Sequence, residues 1–315
     1  MPLNILKKWF SRDDAGWVAV GIAQGGVSLA QVDHPGGNPR VVQCVHVPMT
    51  KVTAAEIGRV LREHQVTRQR VTTLLSASEY QMMPIPAPNV PADELKSAIR
   101  WQVKDSLHFD IEAVTLDAIR IPTQRNREGG EQSYYAVAAP NEAILRRTTL
   151  LEDAGARLQA IDIPEMAQRN LANLYPQQDE ALMLLMADNR GSTLTFTFGG
   201  ELYLTRRFDI SAFNLDEGNP MERLHYWESL GRQLQLSVDY FERQSDIKVG
   251  RLVMATRSEL HEQSLLESAL SIPVQRLRLS EVMDVSGAPR LADPEYAQGM
   301  LPLIGAALRQ ERRAL

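Results

Sequence analysis

The chain has 315 residues, 44% of them hydrophobic and 23% charged, with a formal net charge of -5. That is enough apolar material for one large core or two domain-sized cores, and the mild negative balance, without a long basic run, excludes a broad nucleic-acid surface. The single cysteine, Cys44, excludes an internal disulfide framework and a four-cysteine zinc site.

The chain opens with Leu3, Ile5, Leu6, Trp9 and Phe10 around Lys7 and Lys8, a short amphipathic patch over residues 1–14. It reads either as a docked terminal helix or as a weak contact with a membrane surface. No continuous apolar stretch follows Met1-Pro2-Leu3, and no window reaches the roughly 18 apolar residues of a spanning helix, so a cytoplasmic protein is expected.

From Trp17 to Val47 the sequence spells a three-strand meander. WVAVGI turns at Gln24-Gly25-Gly26 into VSLAQV, and Gly36-Gly37 leads into VVQCVHV. The pattern returns from Leu182 to Phe208, where ALMLLM turns through Asp188-Asn189-Arg190-Gly191 into TLTFTF and Gly199-Gly200 leads into ELYLTRRF. A third double glycine, Gly129-Gly130, separates VTLDAIRI from SYYAVAA as a further hairpin. Cys44 alternates with Val42 and His46 in the first meander and reads as a small buried side chain.

Helices fill the intervals. After a proline-rich bridge, Met83 to Pro91, a helix is predicted from Ala92 or Asp93 through Ser106. Its apolar stripe is Leu95, Ile99, Val103 and Leu107, with Trp101 on the opposite face beside Glu94, Ser97 and Asp105. That exposed-face tryptophan calls for cover, either from another part of the chain or from a bound segment. A second helix is predicted from Asn141 to Ala154, stopping at Gly155, then a strand RLQAIDI, then a helix opened by Pro164. The longest, about Met221 to Gln244, carries a core stripe of Tyr226, Trp227, Leu230, Leu234, Val238 and Phe241. The last, about residues 294–310, contains Gly299, Pro302 and Gly305, which suggests close packing on another element. YPQQDE at Tyr175 to Glu180 marks a boundary. It gives a first domain of residues 15–177, with an inserted subdomain at about 83–135, and a second of residues 178–315 whose last helix packs back toward the first.

The segments VGI (Val20–Ile22), LKSAIRWQVKDSLHFDIEAVTLD (Leu95–Asp117), AVAAPNEAILRRTTLLEDAGARLQAIDIPEMAQRNL (Ala136–Leu171), LGRQLQLSVDYFERQ (Leu230–Gln244) and YAQGMLPLIGAALR (Tyr296–Arg309) resemble the PilM-like branch of the actin-like, duplicated ribonuclease-H-like superfamily. Within it they resemble the MshI proteins of mannose-sensitive haemagglutinin (MSHA) pilus biogenesis. The resemblance implies an α/β fold of two domains around a cleft and a cytoplasmic place at the inner-membrane platform of a type IV pilus. It also implies a partner, the cytoplasmic segment of a bitopic PilN-like membrane protein among the other platform proteins. On the inserted helix, Arg100, Trp101, Lys104 and Asp105 are the candidates for holding that segment.

Departures from the family pattern bear on chemistry. Active relatives carry an acidic residue after the Gly-Ile of the first turn; here Ala23 and Gln24 stand there, followed by Gly25 and Gly26. Alanine can neither ligate a hard cation nor act as a base. In the second turn Asp188 matches the family aspartate, but Asn189 and Arg190 replace small residues before Gly191. The glycine pair expected after the strand RLVM is Ala255-Thr256. A degenerate nucleotide site is therefore expected, with no catalytic residue, no metal and no cofactor. The alternatives are a residual ATPase or nucleotide-gated switch, and the cytoplasmic domain of a type II secretion membrane protein, which calls for a spanning helix at the chain's end.

Other chemistries fail on the same residues. Gly26-Val27-Ser28-Leu29-Ala30 resembles a nucleophile elbow but ends in alanine and leads into a hairpin. The histidines 34, 46, 64, 108, 225 and 261 include no pair at helical ligand spacing. Arg206-Arg207 ends a strand and reads as a solvated or paired edge.

Overall fold

Two runs of antiparallel hairpins, each followed by a parallel crossover, give two five-stranded sheets of the same strand order. The computed structural model describes residues 16–310, except positions 24, 35–36, 92, 123–131, 178, 217–218 and 257–262. The described chain falls into two compact units. The first takes residues up to Leu74, Arg147–Asp162 and Leu279–Gln310; the second takes Leu75–Arg146 and Ile163–Arg278. The division predicted from sequence, at 177/178, differs from this one in three places: residues 75–146, which include the inserted segment, and residues 163–177 fall in the second unit, and residues 279–310 fall in the first.

In the first unit, β1 (Trp17–Ala23), β2 (Gly26–Asp33) and β3 (Arg40–Pro48) form the expected meander. β4 (Arg70–Leu74) and β8 (Leu158–Asp162) extend it in parallel, for the order β3-β2-β1-β4-β8. One sheet face buries Val18, Val20, Val27 and Leu29 against Ile57 and Leu61 of α1 (Ala54–Glu63) and Leu151 of α3 (Asn141–Asp153). The helix α1 starts where Thr53 accepts a hydrogen bond from the Glu56 amide (3.3 Å), and the Glu56 carboxylate accepts from the Thr53 hydroxyl. On the other face lies α8 (Pro294–Ala307), packed on β1, β2 and β4. The predicted close approach at Gly299 is absent: a Cβ there would meet nothing within 4 Å, and the packing is made by Met300, Leu301, Leu303 and Ile304.

In the second unit, β9 (Ala181–Asp188), β10 (Gly191–Phe198) and β11 (Glu201–Phe208) form the second meander, and β12 (Val249–Ala255) and β13 (Val274–Arg276) complete the order β11-β10-β9-β12-β13. α6 (Pro220–Ser245) starts at Asn219, whose side-chain oxygen accepts from the Met221 and Glu222 amides, with Pro220 fitting the first turn. Its stripe Trp227, Leu230, Leu234, Val238 and Phe241 is buried on the sheet, with Phe241 stacked on Phe196 at 4.7 Å between ring centroids. Tyr226 is only partly buried at the margin.

The inserted segment adds a three-stranded sheet, β5-β7-β6, from β5 (Gln81–Pro86), β6 (Val114–Ile121) and β7 (Ser133–Pro140). The predicted hairpin is the antiparallel β6–β7 pair; Gly129 and Gly130 lie outside the described residues. The sheet covers α2 (Leu95–Val103), shorter than predicted, because Lys104–Ser106 tightens into a 3-10 turn and Leu107 swings to extended backbone. Leu95, Ile99, Val103 and Leu107 nevertheless all join one apolar cluster with Ile85 and Ala136.

The repeat extends to one glycine in each meander. Gly26 and Gly191 both open the second strand at φ +153°. A Cβ on Gly26 would lie 2.2 Å from the Val47 carbonyl oxygen, and one on Gly191 would lie 2.6 Å from that of Phe208. At both places the third strand's carbonyl occupies the space of a side chain.

Candidate functional site

The two inter-strand turns carry the residues singled out for phosphate chemistry. In the first unit, β1 and β2 pair to Ala23↔Gly26, with Gly25 in the turn between them. Ala23 is exposed and offers only a methyl group; Gln24 lies outside the described residues. In the second unit the pairing closes at Asp188↔Gly191, with Asn189 and Arg190 in the turn. The Asp188 Oδ1 accepts hydrogen bonds from the backbone N–H of Arg190 (2.6 Å) and Gly191 (3.1 Å), so the family-like aspartate closes its own turn. Ala255 and Thr256, at the end of β12, are buried. Among the described residues no group of three or more His, Cys, Asp and Glu is placed to hold a metal ion.

The inserted helix sorts the partner candidates into two kinds. Trp101 is 74% exposed, uncovered by any described part of the chain, with the Lys104 ammonium 5.5 Å from the ring centroid. Lys104 and Asp105 are exposed in the 3-10 turn, and Glu94 and Ser97 share the exposed face as predicted. Arg100 behaves differently. Its guanidinium donates to the carbonyls of Ile111 and, at 3.1 Å, Val114, and so fixes the connection from α2 to β6. Leu3, Ile5, Leu6, Lys7, Lys8, Trp9 and Phe10 lie outside the described residues.

A polar cluster around a buried carboxylate in the second unit went unread in the sequence. Glu165, 1% exposed at the start of α4 (Pro164–Ala172), accepts from Nη2 of Arg207 on β11 at 2.7 Å and from the Tyr80 hydroxyl. Arg207 also donates to the Tyr80 hydroxyl and, at 3.3 Å, to the Ala77 carbonyl, with its guanidinium 5.0 Å from the Tyr80 ring centroid. Burial, then the neighbouring Glu165 carboxylate, holds the Tyr80 phenol well above its ordinary pKa. Burial pulls the Arg207 pKa down, but Glu165 and Tyr80 outweigh it and the net shift is upward. Nearby, the Tyr135 hydroxyl of β7 donates to the Tyr203 carbonyl (3.4 Å) and accepts from the Thr205 amide (3.2 Å) on β11. Arg207 is thus the paired member of Arg206-Arg207, and Arg206 lies over the Tyr240 ring at 4.9 Å. The only sequence signal for Glu165 was an acid after a helix-opening proline, which reads as ordinary dipole complementarity.

Twice the strand order runs third, second, first, fourth, fifth, with two antiparallel and two parallel pairings. That is the actin-like, duplicated ribonuclease-H-like architecture. Neither a protein-family model nor a curated protein sequence matches the chain. Among solved structures, the chain is similar to one of a PilM–PilN type IV pilus biogenesis complex, at TM-score 0.68 and 20% identity, covering 94% of this chain and 97% of that one. Weaker likenesses include the cytoplasmic domain of EpsL, an inner-membrane component of the type II secretion system of Vibrio cholerae (13% identity, 94% and 96% covered, TM-score 0.49). Another is a Bacteroides thetaiotaomicron protein with an actin-like ATPase fold (11% identity, 92% and 98% covered, TM-score 0.46). The first of these, spanning nearly both chains, agrees with the topology in giving the actin-like fold. Among the described residues no helix is long and apolar enough to cross a membrane.

Proposed function

We propose that this chain is a non-enzymatic adaptor of a type IV pilus assembly platform, of the MSHA type, that captures the cytoplasmic segment of a PilN-like inner-membrane protein. The observation that carries this reading is the likeness, along 94% of the chain, to a protein solved as part of a PilM–PilN complex. The turns support the absence of enzymatic work: Ala23 supplies no oxygen ligand, and the Asp188 carboxylate is engaged by two amides of its own turn. A Mg-nucleotide, whose metal needs carboxylate or water oxygens, would find none at Ala23, and at Asp188 the Oδ1 is already taken up by its own turn, as are the two amide N–H groups a phosphate would need. The amphipathic residues 3–10 add a peripheral lipid contact in this reading.

Capture of a peptide needs an apolar anchor and a polar rim rather than a catalytic constellation. Trp101, with Lys104, Asp105, Glu94 and Ser97 around it, supplies that combination on α2. The test is titration of a synthetic peptide spanning the cytoplasmic segment of the PilN-like partner. Trp101→Ala weakens binding by about 30-fold, equivalent to roughly 2 kcal/mol, while stability stays within about 0.5 kcal/mol because the ring is already solvated. Unchanged affinity moves the capture surface away from α2. Failure of the wild-type chain to bind the peptide, together with micromolar Mg-dependent affinity for ATP, replaces the adaptor with a nucleotide-gated switch.

A further inference from the structure

The inserted segment and the five-stranded sheet of the second unit have separate apolar cores. The cluster around Ile85, Ile99, Val103 and Ala136 shares no residue with the cluster around Phe196, Trp227 and Phe241. Polar groups tie the two together. The loop entering the insertion brings Ala77 and Tyr80 to Arg207 and Glu165, and Tyr135 bridges to the β11 backbone.

We propose that Tyr80, Glu165 and Arg207 form a latch that docks the insertion on β11 and α4, and that the insertion undocks as a body when the latch opens. The physics lies in how an ion pair with one buried partner, Glu165, and one part-exposed partner, Arg207 (side chain 41% exposed), responds to removal of one or both groups. When both charges regain water together, hydration offsets most of the Coulombic loss, so a joint opening is inexpensive. When Arg207 is removed, Glu165 is left charged in an apolar setting, and the docked arrangement becomes strongly unfavourable. A joint made of directional hydrogen bonds is also lost over a small displacement, unlike a packed apolar interface. Glu165 and Tyr80 are both at least 95% buried and meet on one guanidinium, so loss of Arg207 leaves both without that donor. The inference stands apart from the pilus reading and is tested without any partner.

The experiment is amide hydrogen exchange read by mass spectrometry on the full chain. In Arg207→Met, peptides covering residues 75–80 and β11 exchange at least about tenfold faster, as for a local opening, while those of β9 and β12 keep wild-type rates. The double variant Arg207→Met with Glu165→Leu removes both charges and restores slow exchange at both segments. Unchanged exchange in the single variant overturns the latch. So does acceleration across β9 and β12 as well, which makes the cluster part of one cooperative core. If Arg207→Met does not fold, Tyr80→Phe serves in its place: it keeps the ring and the ion pair, and the same confined acceleration, or its absence, decides the matter.

Discussion

Asp188 separates a residue that shapes a turn from one that serves a ligand, because two substitutions distinguish the roles. Asp188→Ala deletes the acceptor of two backbone N–H groups, Arg190 at 2.6 Å and Gly191 at 3.1 Å. Hydrogen bonds to a charged acceptor contribute about 1.5–3 kcal/mol each where water is excluded. This turn is exposed, so water replaces much of that, and the net loss is about 1–2 kcal/mol, comparable with losing a helix N-cap acceptor. In a domain of this size that lowers the melting temperature by roughly 2–8 °C. Asp188→Asn keeps the Oδ1 acceptor and stays within about 1 °C of wild type. Each protein is melted by circular dichroism with and without millimolar Mg-ATP, to which none responds. A ligand at a hundred times its Kd adds about 2.7 kcal/mol, a shift no melt would miss. A Mg-dependent rise in the wild type that disappears in Asp188→Asn refutes the turn reading, and so does an Asn variant as damaged as the Ala variant.

Burial pushes the Cys44 thiol from an ordinary pKa of 9.0 up to about 12, so it remains protonated and inert at pH 8. A thiol-specific chromogenic disulfide therefore labels it only at the rate of unfolding; rapid labelling of the folded chain contradicts the assigned burial. Because the folded state holds this proton more tightly, the contribution is full below pH 9 and is lost as pH rises toward 12, visible as a falling urea midpoint over that window. Deleting residues 1–10 reduces flotation with anionic vesicles and leaves the melting temperature unchanged if the amphipathic patch meets lipid. Unchanged flotation removes the lipid contact.

Both meanders and the α2 and α6 stripes were legible because their information is local. Period-two runs broken by glycine pairs fix hairpins, and four-residue spacing fixes the buried helix face. The same spacing placed Trp101 opposite the stripe, but whether anything covers it depends on segments remote in sequence, which no window contains. Arg100 shows that limit from the other side. It sits one position from Trp101, yet its guanidinium turns inward to carbonyls of a connection 11 and 14 residues away. The Tyr80, Glu165 and Arg207 cluster lay beyond reach for the same reason: Glu165 is 85 residues from Tyr80 and 42 from Arg207, and each polar residue alone looked like surface.

The matching glycines belong to the frame of the meander rather than to any phosphate chemistry. A glycine at the head of the second strand is ordinarily taken as room for a phosphate beside the backbone. At Gly26 and Gly191 the space a side chain would take already holds the carbonyl oxygens of Val47 and Phe208. The meander itself thus demands glycine there, with or without a ligand. Alanine at either position pushes a Cβ to within 2.6 Å of backbone oxygen and damages the sheet in an enzyme and an adaptor alike. The glycines therefore report the fold and say nothing about nucleotide. Discrimination rests on the residues the meander leaves free to vary, Ala23 in one turn and Asp188 to Arg190 in the other, and a nucleotide titration of variants at those positions is where the adaptor reading is exposed to refutation.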